Sequence, residues 1–209
     1  MEMIDLLKQL TDLPLSLPRT EFIGSLKNLE SKAYELLKTR NTVPWRRGKG
    51  LAISAELSKL KDTIIKKIVA YISGIPAGIT LIAVGGYGRE ELSPFSDIDL
   101  LLLHHPEAPI ADFAAKFLYM LWDMKYQVSS STRTIANLKE QASEDETFLT
   151  TLFGARFLAG DINLFYKIGT SLTKLLPSLR KPFLRTEIKE IYSVFSNFNR
   201  EAPHKILLK

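Results

Sequence analysis

Gly85-Gly86-Tyr87-Gly88-Arg89, followed by Ser96-Asp97-Ile98-Asp99-Leu100 and Leu101-Leu102-Leu103, is the stretch on which the reading of this chain turns. Just upstream, Ile79-Thr80-Leu81-Ile82-Ala83-Val84 is a short apolar, β-branched run that stops at two glycines. A buried strand ends this way where the backbone must approach something closely. Gly85, Gly86 and Gly88 leave backbone N–H groups with little side-chain bulk, able to hold an anion. Arg89 adds a guanidinium that grips phosphate oxygens as a fork. Ser93-Pro94-Phe95-Ser96 then breaks the chain before the next strand.

Asp97, Ile98, Asp99 and the leucines to Leu103 form that second strand, whose period of two sets both carboxylates on one face, about 6.6 Å apart along it. Such a pair can hold divalent ions, and Mg²⁺ in particular takes hard oxygen ligands shared with substrate phosphates. Without a cation the two acids repel, and burial beside the leucines raises their pKa values. An alternating acid pair alone is most often the solvated side of a strand, and a glycine pair alone says less. Strand, glycine turn, arginine, acid pair and second strand in succession carry the functional reading. Other phosphate loops do not fit, since there is no Gly-x-x-x-x-Gly-Lys-Ser/Thr and no Gly-x-Gly-x-x-Gly opening a long helix.

On these residues the segment resembles the polymerase-β-type nucleotidyltransferase superfamily, marked by a glycine pair at a strand end and Asp/Glu-x-Asp/Glu on the next strand. Gly85 to Leu101 is similar, without a gap, to the pattern of the bacterial PII-protein uridylyltransferases (uridylyl-removing enzymes). Leu121-Trp122-Asp123, Arg133-Thr134, Asp145 with Thr147, and Ala155-Arg156-Phe157-Leu158-Ala159-Gly160-Asp161 continue the likeness, which covers residues 75 to 165. The resemblance implies an α/β (α+β) polymerase-β-like nucleotidyltransferase fold, a small mixed sheet flanked by helices. Three departures stand beside it. Tyr126 to Arg133 offers Gln127 and serines where the superfamily supplies a third carboxylate. Ser129-Ser130 replaces a frequent Gly-His, and Gly154 a frequent glutamate. The family also continues into a His-Asp phosphohydrolase domain and small-molecule-sensing ACT domains, so this sequence is expected to be a fragment or a stand-alone relative.

Composition suits a compact cytoplasmic protein. The 209 residues are 45% hydrophobic, enough for one sizeable core. Zero cysteines exclude a disulfide scaffold or thiolate metal site. Met1 to Leu10 carries Glu2, Asp5 and Lys8 and is neither a secretory nor a transit leader. No apolar run approaches a membrane span. The charge of +5 suits polyanionic ligands but is spread along the chain and does not establish nucleic-acid binding. The tightest basic patch, Trp45-Arg46-Arg47-Gly48-Lys49, reads as a solvated loop or as a phosphate or base contact.

Periodicity predicts a linker at Leu13 to Pro18, then helices over 20–39 and 54–73. The second has Leu57, Leu60, Ile64, Ile65, Ile68 and Tyr71 on one stripe, with Lys59, Lys61, Lys66 and Lys67 largely off it. A loop at His104 to Pro109, a helix over 110–125 and a third strand over 126–134 follow the acid strand. Helices are then expected over 140–158 and 161–176, with a last amphipathic one over 185–198. The expected organisation is a helical N-terminal extension (1–50), a nucleotidyltransferase core (51–165) and a C-terminal helical segment (166–209).

The expected chemistry is transfer of a nucleoside monophosphate from a triphosphate to a hydroxyl. Asp97 and Asp99 hold Mg²⁺, Gly85 and Gly86 offer amides to the terminal phosphates, and Arg89 and Ser96 contact the β and γ groups. Arg133 reads as a phosphate or base contact or as a surface ion pair. By resemblance the nucleotide is UTP and the acceptor a tyrosine of the PII signalling protein. A catalytically silent nucleotide-binding module and a transferase with another acceptor remain open.

Overall fold

The computed structural model describes residues 2–41 and 49–175. The Trp45 to Gly48 part of the basic patch and the helix expected over 185–198 lie outside the described residues.

β1 (Ile79–Ala83) is buried at every position, and β2 (Ile98–His104) at all but Asp99 and His104. Continuous apolar strands are central strands covered on both faces. They lie at the centre of a four-stranded sheet of order β3-β2-β1-β4. β1 runs antiparallel to β2 and to β4 (Arg156–Gly160), while β3 (Val128–Arg133) runs parallel to β2. The sheet is therefore mixed and helix-flanked, as expected.

Alternation divides the side chains between two cores. Ile79, Leu81, Ala83, Ile98, Leu100 and Leu102 face α1 (Met3–Asp12), α2 (Arg19–Asn41), α3 (Lys49–Tyr71) and α5 (Ile110–Asp123). Ile82, Val84, Leu101 and Leu103 face the other way, onto α6 (Ile135–Glu144), α7 (Glu146–Phe153) and α8 (Ile162–Leu175). Leu6, Leu10, Phe22 and Leu26 of α1 and α2 are wholly buried in the same core as β1. α8 runs through residue 165, where the expected core ends, and buries Ile168 and Leu172 against the sheet.

Four expectations change. Asp97 lies one residue before β2, so only Asp99 is in the strand. The glycine turn is a short helix, α4 (Gly85–Gly88). Lys61 is not on a solvated side of α3 but is 7% exposed, paired with Glu30 of α2. The single helix expected over 140–158 is two helices and a strand. Asp145 breaks the first with extended backbone (φ −120°, ψ 103°), and its carboxylate accepts from the Phe148 amide at 3.1 Å, opening α7. Beyond Gly154 the chain pairs with β1 as β4. No helix among the described residues is long and apolar enough to cross a membrane.

Candidate active site

The site is built where β1 ends and β2 begins. The Val84 amide donates to the Asp99 carbonyl at 3.1 Å, binding the two strand ends together. Gly85 follows with φ +58°, in the left-handed region that favours glycine. A Cβ on Gly85 would stand 2.9 Å from Asp99 Oδ2, so the turn closes directly over that carboxylate. From there α4 winds once, with Gly88 N donating to Val84 O at 2.9 Å and Glu91 N to Gly86 O at 2.9 Å. The opening amides of such a turn have no acceptor within it.

Asp99 projects from the same side of β2 as Leu101 and Leu103, and Asp97, two residues earlier, is exposed. Partial burial pushes the Asp99 carboxyl above its ordinary value, and the neighbouring Asp97 charge pushes it the same way. The Arg89 guanidinium pulls it down. Thus the two acids and Arg89 act on one small volume beside Gly85. Arg89 Nε also donates to Glu91 Oε2 at 2.8 Å, which holds the guanidinium half-exposed.

Ser96 and Arg133 are engaged elsewhere. The Ser96 hydroxyl donates to Ser93 O at 2.9 Å and accepts from Ser93 N at 3.0 Å, closing the turn that leads into the acids. Arg133 pairs in register with Leu103 while Ser129 pairs with Asp99, so it sits about 13 Å along the sheet. There its Nε donates to Gln141 Oε1 at 2.9 Å and its Nη1 to Thr132 O. Arg133 is not gathered with the carboxylates.

Gln127 comes nearer. Its carbonyl accepts from the Ile98 amide at 2.9 Å, and the β2–β3 register carried one step back sets it beside Asp97. It brings an amide rather than a carboxylate to the position beside Asp97. Among the described residues no cluster of three His, Cys, Asp or Glu forms a metal site. Two carboxylates with open sides still suit Mg²⁺, which commonly takes one or two from the protein and completes its shell with water and phosphate. A cation there would relieve the repulsion and desolvation that raise Asp99.

One group was not legible as functional in advance. Arg156 stands opposite Ala83 on β4 and reaches beneath α4, where its Nη2 donates to Tyr87 O and its Nε to Gly88 O, both at 3.1 Å. Its fork also clasps the carboxylate of Asp62 on α3, with Nη1 on Oδ2 and Nη2 on Oδ1. The signal lay in pieces: an acid among the lysines of α3, a tyrosine set between glycines, and an arginine in a short apolar run.

Residues 63–149 match the family described as Nucleotidyltransferase domain, a span that holds the glycine turn and both acids. The bifunctional uridylyltransferase/uridylyl-removing enzyme of Burkholderia orbicola (strain AU 1054) is 36% identical over 153 residues, 72% of this chain and 17% of that protein. That of Burkholderia lata is 34% identical over 177 residues, 83% of this chain and 20% of its own length. That of Pseudoalteromonas translucida (strain TAC 125) is 41% identical over 121 residues, covering 57% and 14%. The chain therefore spans a fifth or less of the curated relatives named here. Glycine turn, acid pair, mixed sheet and these matches together make this a chain of the nucleotidyltransferase family, of the kind carried by bifunctional uridylyltransferase/uridylyl-removing enzymes.

Proposed function

We propose that this chain catalyses nucleotidyl transfer, moving a nucleoside monophosphate from a nucleoside triphosphate to a hydroxyl acceptor with release of pyrophosphate. The observation that carries it is the closure of the Gly85 turn over Asp99, with Asp97 and Arg89 alongside. In the reaction the acceptor oxygen bonds to the α-phosphorus while that phosphorus loses its bond to the bridging oxygen of the β group. Pyrophosphate departs and the hydroxyl proton passes to solvent.

Asp97 and Asp99 are the residues that would hold Mg²⁺. Bound there, the ion would neutralise phosphoryl charge and acidify the acceptor hydroxyl. The Gly85 and Gly86 amides receive the terminal phosphates at the mouth of α4. Arg89 is placed to exchange its Glu91 partner for a phosphate oxygen, a charge-assisted bond of comparable kind. Ser96 keeps the approach to Asp97 in shape through Ser93.

The relatives' names point to uridylyl transfer, so UTP is the proposed donor, and the resemblance points to a tyrosine of the PII signalling protein as acceptor. The amide of Gln127 beside Asp97 favours a second reading, a nucleotide-binding module without turnover. Incubation with labelled UTP or ATP, Mg²⁺ and PII distinguishes them. Label passing from UTP to PII is expected, lost in Asp97→Ala and Asp99→Ala while circular dichroism stays unchanged. Label on another acceptor corrects the substrate. Nucleotide binding without transfer, unaltered by Asp97→Asn, supports the silent module.

A further inference from the structure

The geometry points to Arg156 as a positioning residue that, braced by Asp62, holds the glycine turn in the shape that receives the triphosphate. Three distant segments meet in this contact. Arg156 enters from β4, Asp62 from α3 and Tyr87 from α4, with Arg156 and Asp62 separated by 94 positions in the sequence.

All three groups are largely shielded from solvent. The side chains of Arg156 and Asp62 are 16% and 14% exposed, and Tyr87 is 1% exposed. The Tyr87 hydroxyl donates to Asp62 Oδ1 at 2.6 Å, and the guanidinium lies 5.3 Å from the Tyr87 ring centroid. Glu90 faces Arg156 Nε at 3.8 Å from the solvent side. Arg156 thus spends part of its fork on Asp62 and directs Nε and Nη2 at consecutive carbonyls, Gly88 O and Tyr87 O. Those carbonyls end α4, whose opening amides are the proposed phosphate donors, so fixing one end of a single helical turn fixes the direction of the other. A bidentate brace explains the choice of arginine, since a lysine ammonium is a point charge that cannot hold a carboxylate and two carbonyls in one plane.

Backbone packing also confines the same turn. A Cβ on Gly88 would lie 2.0 Å from Gly154 O, and one on Gly154 would lie 2.8 Å from Arg89 Cγ. α4 is therefore packed on the backbone that leads into β4 as well as held by the Arg156 fork.

This inference rests on the nucleotidyl-transfer reading for its kinetic test, and a second readout is independent of it. In Arg156→Lys the KM for the nucleoside triphosphate should rise on the order of tenfold or more, as displacement of a binding element produces. The KM for the acceptor should not change. A merely structural role would lower the active fraction, hence kcat, and leave the triphosphate KM alone. Hydrogen exchange of the Gly88, Arg89 and Glu91 amides should quicken in the same variant, whether or not the protein turns over. Should Arg156→Lys fail to fold, Asp62→Asn, which keeps an acceptor in place, is expected to act in the same direction. Arg19→Gln, which removes an exposed ion pair with Asp123, is the control expected to match wild type. A folded Arg156→Lys with wild-type triphosphate KM and wild-type exchange overturns the inference. Quickened exchange in Arg156→Lys, beside a wild type that neither binds nor transfers nucleotide, would instead remove the proposed function and leave the hold of Arg156 on the turn standing.

Discussion

Two adjacent glycines in the site have opposite roles. Gly85 needs its φ of +58° and has Asp99 Oδ2 at the place of a Cβ, whereas a Cβ on Gly86 would meet nothing within 4 Å. Gly85→Ala should therefore cost about 1–2 kcal/mol for the left-handed backbone alone, before the push on Asp99 is counted. Gly86→Ala should leave stability unchanged or raise it by up to about 1 kcal/mol, because alanine is the better helix residue. Urea unfolding measures both, and equal stabilities for the two variants would contradict the placement. In transfer assays Gly86→Ala should be stable yet weaker in triphosphate binding, because the phosphate tail approaches the Gly86 amide closely. The glycine pair and the acid pair were legible in the sequence because each is a local pattern whose chemistry depends on near neighbours. Arg156 was not legible as a brace, because its partner Asp62 is brought to it only by the packing of α3 on the sheet.

At the scale of elements, the same distinction separates what periodicity reveals from what it does not. β1, β2 and the crossover through α5 to β3 were legible, since each has a run or stripe strong enough to declare its period. β4 was not, for Arg156-Phe157-Leu158-Ala159-Gly160 has no β-branched residue and becomes a strand by pairing with β1. α3 hid a second surprise, because a lysine among lysines reads as solvated. Lys61 instead donates to Glu30 of α2, with its ammonium 3.6 Å from the Tyr126 ring centroid. The Tyr126 hydroxyl donates to the same Glu30 oxygen at 2.9 Å, so one carboxylate ties α2, α3 and the entry to β3. Burial pushes the Lys61 pKa down, against the pull of Glu30. Removing Glu30 leaves a buried cation unpaired, and Glu30→Ala should cost about 3 kcal/mol in urea unfolding, the lower end for such breaks because Lys61 can shed its proton. Glu30→Leu with Lys61→Met should recover most of that loss, since a packed apolar pair avoids desolvation altogether. A single variant within about 0.5 kcal/mol of wild type would show the pair to be incidental.

For the whole molecule, the first helical layer can be followed through its tyrosines. Tyr34 on α2, Tyr87 on α4 and Tyr126 before β3 all belong to or pack against the core between that layer and the sheet. Burial, then the Glu30 charge, pushes Tyr34 up to about 12 from 10.0. Burial likewise drives Tyr87 and Tyr126 well above the ordinary range, aided by Asp62 and Glu30 respectively. An unfolded chain gives up these protons near pH 10, while the folded chain keeps that of Tyr34 to about 12 and holds those of Tyr87 and Tyr126 well above their ordinary range. Over that window the folded state binds more protons, so stability falls as pH rises. Their contribution is complete below pH 10. Lys61 has the opposite sign: its folded pKa lies below 10.5, so the unfolded chain holds the extra proton and stability rises with pH until 10.5 is passed. One lysine thus defers the loss and three tyrosines then drive it, which sets the onset of alkaline unfolding above pH 10 and makes it steep. Tyrosinate absorbance and helical circular dichroism, recorded together across pH 9 to 13, should show the ionisation of these three residues arriving with the loss of helix. Tyr34→Phe should flatten the fall in stability between pH 10 and 12. If the dichroism persists after every tyrosine has ionised, the three hydroxyls are open to solvent, and the layer that carries Asp62 to the glycine turn is not packed as described.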